Sequence, residues 1–392
     1  MTRAIVSLNS GSSSIKFALF ALDGGEPRHV AAGKIERIGS DPHLLARRDD
    51  GTVVVDRRWQ AGTRLTHEDL LRDLFAWAVD HLAGYEVIAV GHRVVHGGAD
   101  FARPMRVDDA LLAALDRLCP LAPLHQPHNL AAIRAIASLA PDLAQVACFD
   151  TAFHHDRPEI ATRFALPREW HERGVRRYGF HGLSYEYIAR TLAEREPELA
   201  RGRVIAAHLG NGASLCAMRD GRSVDTTMGF TALDGLMMGS RCGALDPGVV
   251  LHLIAQEGFS PEAVQSLLYD RSGLLGVSGI SNDMRTLRAS DAPEAEEAIA
   301  LFTWRLVREI GALAAVLGGI DALVFTAGIG ENDPVLRAEA CRRLAWLGAR
   351  LDDAANAAGA GRLDAPDSTI AIRVIPTDEE RMIAIHTLGI VA

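Results

Sequence analysis

Two short segments about half a chain length apart share one pattern: an apolar run, a polar glycine turn, then a second apolar run. In the first, Ala-Ile-Val-Ser-Leu at 4–8 gives way to Asn-Ser-Gly-Ser-Ser-Ser, and apolar residues resume at Ile15. In the second, an apolar run at 204–207 meets the turn His-Leu-Gly-Asn-Gly at 208–212 and resumes over 215–218. Short apolar runs broken by Ser, Gly and Asn read as strand, tight turn, strand. A hairpin opening each half predicts an internal duplication, two similar domains whose turns bare backbone N–H groups; the competing reading is two unrelated hairpins. The length of 392 residues suits two domains better than one core. Helical periodicity over 67–82, 109–118, 129–139, 183–194, 261–268, 292–317 and 334–347, with a last helix beginning near Met382, alternates with apolar strands. That alternation predicts an α/β class with mixed sheets.

Composition narrows the partners. Hydrophobic residues make up 48% and charged residues 23%, the balance of a globular chain that can bury a sizeable core. The net charge is −9 and no run of basic residues forms a stripe, so nucleic acid is not an expected partner. Anionic small molecules stay open, because a site needs only a few local cations. Of 41 basic residues only Lys16 and Lys34 are lysine. Arginine has replaced lysine almost everywhere, which points to Lys16 as a position where a compact ammonium is wanted. Five single cysteines without C-x-x-C spacing predict a reduced, cytoplasmic protein. The most apolar stretch, near 310–320, is shorter than the ~20 residues needed to cross a bilayer, and no membrane partner is expected. The first apolar run is too short for a secretory signal.

Three glycine turns have the makings of phosphate sites. Gly11, Ser12, Ser13 and Ser14, followed by Lys16, offer hydroxyls and a close backbone, although a serine-rich tip is equally a solvated turn. The turn at 208–212 repeats the arrangement, and Gly-Ile-Gly-Glu-Asn at 328–332 follows an apolar strand and precedes a helix beginning near Pro334, a setting that favours anions. The chain has no G-x-x-x-x-G-K-[ST], no H-E-x-x-H and no third glycine of G-x-G-x-x-G. Charged residues punctuate other strand ends and loops: Arg93 before a double glycine, Asp150 after the apolar run 146–149, His181 between Phe180 and Gly182, and Arg241 between glycines. Each alone is compatible with an idle loop or surface residue, and the i, i+4 pair His92 and His96 would not converge on a metal from a strand. Together, two arginines, a histidine, an aspartate and three phosphate-type turns are equipment for phosphoryl transfer.

In these stretches, and in others at 121–127, 177–184, 225–247, 273–285 and 376–380, the chain resembles the acetokinase family of short-chain carboxylate kinases, in order from residue 5 to about 385. The resemblance implies an α/β fold of two duplicated ribonuclease H-like domains, of the acetate and sugar kinase and actin-like ATPase superfamily, around a nucleotide cleft. The domains would span 1–149 plus 381–392 and 150–380, the second carrying most of the nucleotide site. It further implies a homodimer and reversible transfer of a phosphoryl group from ATP to acetate, giving ADP and acetyl phosphate, with Mg²⁺ or alternatively Mn²⁺. A propionate or butyrate kinase of the same family and a non-catalytic ATP-binding switch are the alternatives.

Matched position by position, Asn9 and Glu379 fall on the metal site, and Arg93 falls on the substrate-carboxylate arginine. Val95, Leu124 and Phe180 fall on the pocket for the acyl group. Asp150 matches the residue usually named as acid/base, and His181 and Arg241 match the transition-state stabilisers. Lys16, with Ser12 and Ser14, matches nucleotide-phosphate contacts. His208, Leu209, Gly210, Asn211 and Gly212, then Asp283, Met284 and Arg285, then Gly328, Ile329, Gly330, Glu331 and Asn332 match the ATP-contacting segments. Chemistry questions one role. A carboxylate nucleophile is already ionised at pH 7, so no proton has to be removed, and Asp150 is expected to order the metal, its waters or an arginine.

The chain departs from the family pattern at Ala232, where a pocket-lining proline is usual, at Ala244 in place of Asp, at Tyr185 in place of His, and at Gln126 and His128. The smaller Ala232 is expected to widen the acyl pocket.

Overall fold

The computed structural model describes residues 1–11, 14–60, 65–81 and 84–392. Ser12 and Ser13 of the first glycine turn, and residue 82 at the end of the first expected helix, lie outside them. The chain divides into two compact units, Met1–Ala152 with Asp378–Ala392, and Phe153–Thr377.

The first unit is built on an eight-stranded sheet of β1 (Thr2–Ser10), β2 (Ile15–Ala21), β3 (Arg28–Glu36), β4 (His43–Arg48), β5 (Val53–Arg58), β6 (Tyr85–Val94), β7 (Met105–Arg106) and β8 (Ala144–Phe149). Its order is β5-β4-β3-β2-β1-β6-β8-β7. The second unit has β9 (Arg203–Leu209), β10 (Ala213–Arg219), β11 (Arg222–Thr226), β12 (Ala322–Thr326) and β13 (Ala371–Val374), in the order β11-β10-β9-β12-β13. In the segment β3-β2-β1-β6-β8 the pairings run antiparallel, antiparallel, parallel, parallel. The five strands of the second unit repeat that sequence of pairings. The duplicated α/β architecture expected from the two hairpins is therefore present.

Burial explains why these runs are strands. All five residues of β12 and six of the seven in β9 are buried, as central parallel strands covered on both faces must be. Each large apolar side chain such as Phe325 contributes about 1.5–3 kcal/mol by leaving water. The helix Pro293–Leu317 begins with Pro at its first turn beside Glu294 and Glu296, and ends at Gly318, whose φ of 71° suits a residue without a Cβ. Its buried Phe302, Leu306, Ile310, Leu313 and Leu317 recur every three to four residues, the stripe that seats a helix. Of the expected helices, 183–194 is observed as Gly182–Arg195 and 334–347 as Pro334–Arg343. No helix among the described residues is long and apolar enough to cross a membrane.

Three of the four histidines buried among the described residues bear on stability. Burial pulls His92 down to about 4, with its Nε2 2.8 Å from the Gln145 amide, and pulls His96 down to about 4. Burial, helped by Arg157, takes His154 to about 3. Each ring binds a proton more readily in the unfolded chain, near 6.5, so stability held above that pH is lost as the pH falls toward 4, at up to about 1.4 kcal/mol per pH unit for each ring. Thermal melts should show Tm declining below pH 6.5 with up to three protons taken up on unfolding, one for each of these rings. A Tm that stays flat to pH 4.5 would contradict their neutral burial.

Candidate functional site

In the first unit, the parallel strands β1, β6 and β8 end at one edge, with Leu8 opposite His92 and Val94 opposite Phe149. Ligands bind at the carboxyl ends of such strands. Asn9, Arg93 and Asp150 stand there, and Asp150 fixes its backbone to β6 by donating its N–H to the Val94 carbonyl at 3.1 Å. The Arg93 guanidinium grips the Asp150 carboxylate with both Nε and Nη2, Nε at 3.0 Å from Oδ1. Its Nη1 donates to Asn9 Oδ1 at 3.2 Å, and Nε lies 3.9 Å from Glu379 Oε2. Among the described residues these contacts take three of the five guanidinium N–H groups, leaving one on each Nη for a ligand. Burial alone would pull Arg93 down, but Asp150 and Glu379 hold it above its ordinary value. Burial pushes Glu379 up, against the pull of Arg93.

Two residues of the helix Gln126–Leu139 brace this edge. Asn129 accepts the Val95 N–H at 3.0 Å and donates to the Ser10 carbonyl at 2.6 Å, tying the end of β1 to that of β6. Gln126 accepts the His96 N–H at 3.1 Å and donates back to the His96 carbonyl at 2.9 Å. The sequence offered Gln126 only as a departure and Asn129 not at all. The available signal was amide side chains on the apolar face of a helix, where burial demands a partner. Val95 is buried and Leu124 half-buried in the same unit. Lys16 is exposed on β2, directly opposite Asn9 in the ladder. Ser14 closes the first hairpin through its carbonyl, which accepts the Gly11 N–H at 2.8 Å.

Asn9 and Glu379 offer hard oxygen donors, the type that Mg²⁺ or Mn²⁺ accepts. A buried carboxylate raised by desolvation is also one that a cation would relieve. No cluster of three or more His, Cys, Asp or Glu able to hold a metal exists among the described residues. An ion on Asn9 and Glu379 would fill its shell from water and phosphate, as Mg²⁺ does.

In the second unit, His181 stands at the N-terminus of the helix Gly182–Arg195 with left-handed backbone, φ 58° and ψ 26°. Non-glycine residues hold that conformation where the surroundings impose it. Behind it, Arg157 donates to the carbonyls of His154, Arg177 and Tyr178, and His154 Nε2 meets the Phe180 carbonyl at 2.9 Å. Arg157 and His154 thereby fix the approach to His181, and Phe180 beside it is buried. Arg241 Nη1 donates to the Ala232 carbonyl at 3.0 Å. A Cβ on Gly212 would lie 3.3 Å from His181 Nε2 and 3.8 Å from Arg241 Nη1, so the His181 ring and the Arg241 guanidinium both reach the second glycine turn. Ala244 only donates its N–H to the Gly235 carbonyl.

A groove of 860 Å³ in this unit is lined by Gly210 and Asn211, by Asp283, Met284 and Arg285, and by Gly328, Ile329 and Asn332. All three segments matched to the nucleotide meet there. Asp283 caps the helix Met284–Arg288 and pairs with Arg285 at 2.6 Å. The third segment, expected as a glycine turn, is instead the short helix Ala327–Asn332, which Ala327 opens with φ 64°. The buried Arg337 donates to the carbonyls of Gly330 and Glu331, both at 2.8 Å, and to Asn356 Oδ1 at 2.8 Å. It fixes this short helix from behind, a role the sequence left unread because burial of an arginine has no local signature.

Comparison with known proteins follows the same lines. The family model described as the acetokinase family matches residues 4–385. The chain is 55% identical over 392 residues to the acetate kinase of Rhodopseudomonas palustris (strain TIE-1), covering 98% of each chain. It is 50% identical over 389 residues to the acetate kinase of Rhizobium meliloti, covering 99% of this chain and 98% of the other. Among solved structures it is similar to a propionate kinase from Francisella tularensis, with TM-score 0.91, 35% identity and 100% of both chains covered. It is also similar to Porphyromonas gingivalis acetate kinase, with TM-score 0.88, 36% identity and 100% of both chains covered.

Proposed function

The chain belongs to the acetokinase family, and from this and the geometry of its two strand edges we propose that it transfers the γ-phosphoryl group of ATP to acetate, reversibly, giving acetyl phosphate and ADP. It is a carboxylate phosphotransferase and uses ATP as co-substrate. The observation that carries the acceptor side is the Arg93 guanidinium, held flat by Asp150 and Asn9 with its outer N–H groups left for a carboxylate. A planar fork and a carboxylate match in geometry and charge. Val95, Leu124 and Phe180 are the candidates for the acyl group's apolar contacts.

Two anions must approach each other, and the protein's work is to neutralise and align them. Asp150 keeps the Arg93 plane in place; it has no proton to take, because the acceptor is already a carboxylate. His181 and Arg241 direct N–H donors at the phosphoryl oxygens. The groove lined by the three nucleotide segments takes ATP, and Lys16 is the first unit's candidate for a phosphate contact. Asn9 and Glu379 would hold Mg²⁺ or Mn²⁺, which when bound neutralises charge on the phosphate oxygens. Asp150's contact with Arg93 supports the reading that it orders an arginine.

The helix Pro247–Ala255 supports a homodimer. None of its residues is buried, although Val249, Leu251 and Ile254 are apolar, and Leu251 is 66% exposed. An exposed apolar helix of this kind marks an interaction surface, and a second copy is the proposed occupant. The free state of all five cysteines supports a cytoplasmic setting.

Purified protein incubated with ATP, Mg²⁺ and hydroxylamine should form acyl-hydroxamate fastest with acetate and none when Mg²⁺ is withheld. With Ala232 in place of a bulkier residue, kcat/KM for propionate should lie within about a hundredfold of acetate, since one methylene is worth about 1–3 kcal/mol. No product from acetate, propionate or butyrate, in protein that still binds ATP, would overturn the reading. Leu251→Glu should shift the sedimentation coefficient from dimer to monomer, and an unchanged value would remove this face as the interface.

A further inference from the structure

His181 is held by more than its backbone. Its Nδ1 lies 2.8 Å from Ser214 Oγ, and that oxygen lies 2.5 Å from Tyr185 Oη. Tyr185 is one helical turn beyond His181, its N–H donating to the His181 carbonyl at 3.1 Å. Ser214 sits on β10, opposite His208 in the ladder. Both Tyr185 and Ser214 are fully buried, the phenol ring packed in the apolar cluster of Ile188, Leu192, Met218 and Val324.

The neighbouring ring has the same support. His181 stacks on His208 with centroids 4.2 Å apart and planes at 19°. His208 Nδ1 lies 2.8 Å from Ser184 Oγ, which accepts from Thr377 Oγ1 at 2.8 Å. Two stacked imidazoles thus each have Nδ1 against a serine, and each serine is backed by a second hydroxyl.

The acidity of the phenol sets the direction inferred for the first chain. A phenol is a better donor than acceptor, so Tyr185 gives its proton to Ser214. Ser214, already accepting, spends its one proton on His181 Nδ1. The imidazole proton then sits on Nε2, the nitrogen that faces Gly212 and the Arg241 guanidinium. Serial donation also strengthens each bond in such a chain. We propose that Tyr185 is a positioning residue for phosphoryl transfer, acting through Ser214 to hold His181 as the Nε2–H tautomer with its donor aimed at the phosphoryl group. This rests on the reading of His181 as a phosphoryl contact. Sequence comparison set Tyr185 apart as a departure from a usual histidine, and the structure gives that departure a task.

Tyr185→Phe keeps the ring in the core and removes only the hydroxyl. It should lower kcat about five- to tenfold, the scale of one lost hydrogen bond, with KM for ATP and acetate within about twofold. Long-range ¹H–¹⁵N spectra of histidine-labelled protein should show an Nε2–H tautomer for His181 that becomes mixed in Tyr185→Phe and in Ser214→Ala, which cuts the same link from its other end. In the Ser214→Ala background the further loss from Tyr185→Phe should be under about twofold. An unchanged tautomer in both variants, or losses that multiply, would overturn the proposal. A His181→Gln enzyme with full activity would instead overturn the reading of His181, whatever its tautomer.

Discussion

The grip of Arg93 on Asp150 is the interaction on which the acceptor half of the site depends. An arginine side chain is long and flexible, and a carboxylate substrate needs it presented in one plane. Asp150 supplies that plane by taking two guanidinium donors, and its own backbone is locked to β6 through Val94. Asn9 takes a third donor from the end of β1. The fork is therefore fixed by three adjacent parallel strands whose register sets where each side chain stands, and Asn129 and Gln126 lock those strand ends together.

The same logic recurs in the second unit because its five strands repeat the pairings of the first. The ends of β9 and β12 bring His208 and Thr326 side by side, and the glycine turn after one and the short helix after the other line the groove proposed for ATP. On the proposed reading a duplicated sheet thus yields two carboxyl-terminal edges, one for a carboxylate and one for a nucleotide. The second edge is braced by buried polar groups: Arg337 behind the short helix Ala327–Asn332, Arg157 and His154 behind His181, and paired hydroxyls behind two imidazoles. Burial costs such groups least where they find partners, and the bonds they make for that reason also fix geometry.

Much of this was legible in the sequence where the signal is local. The hairpin at 204–218 is read from an apolar alternation broken by glycines, and Pro293 to Leu317 from a stripe with a proline start and a glycine stop. Arg93 and Asp150 announce themselves as charges where apolar runs end, and His181 as a ring between an aromatic residue and a glycine. What stayed hidden depends on long-range contact. Tyr185 and Ser214 meet across 29 positions and two elements. Arg337 looks like any surface arginine of a helix until burial is known. The helix Pro247–Ala255 is apolar on its sequence, yet only its exposure shows how little of it is covered within the described chain.

The central claim is that phosphoryl transfer here is a matter of charge and alignment, with no proton in flight at Asp150. The solvent deuterium isotope effect on the transfer step, measured in a single turnover by rapid quench, tests it most directly. The account predicts a value close to unity across pH 6–8. An effect of about two or more on that step, abolished in Asp150→Asn, would show that Asp150 moves a proton in the transition state and would contradict the account.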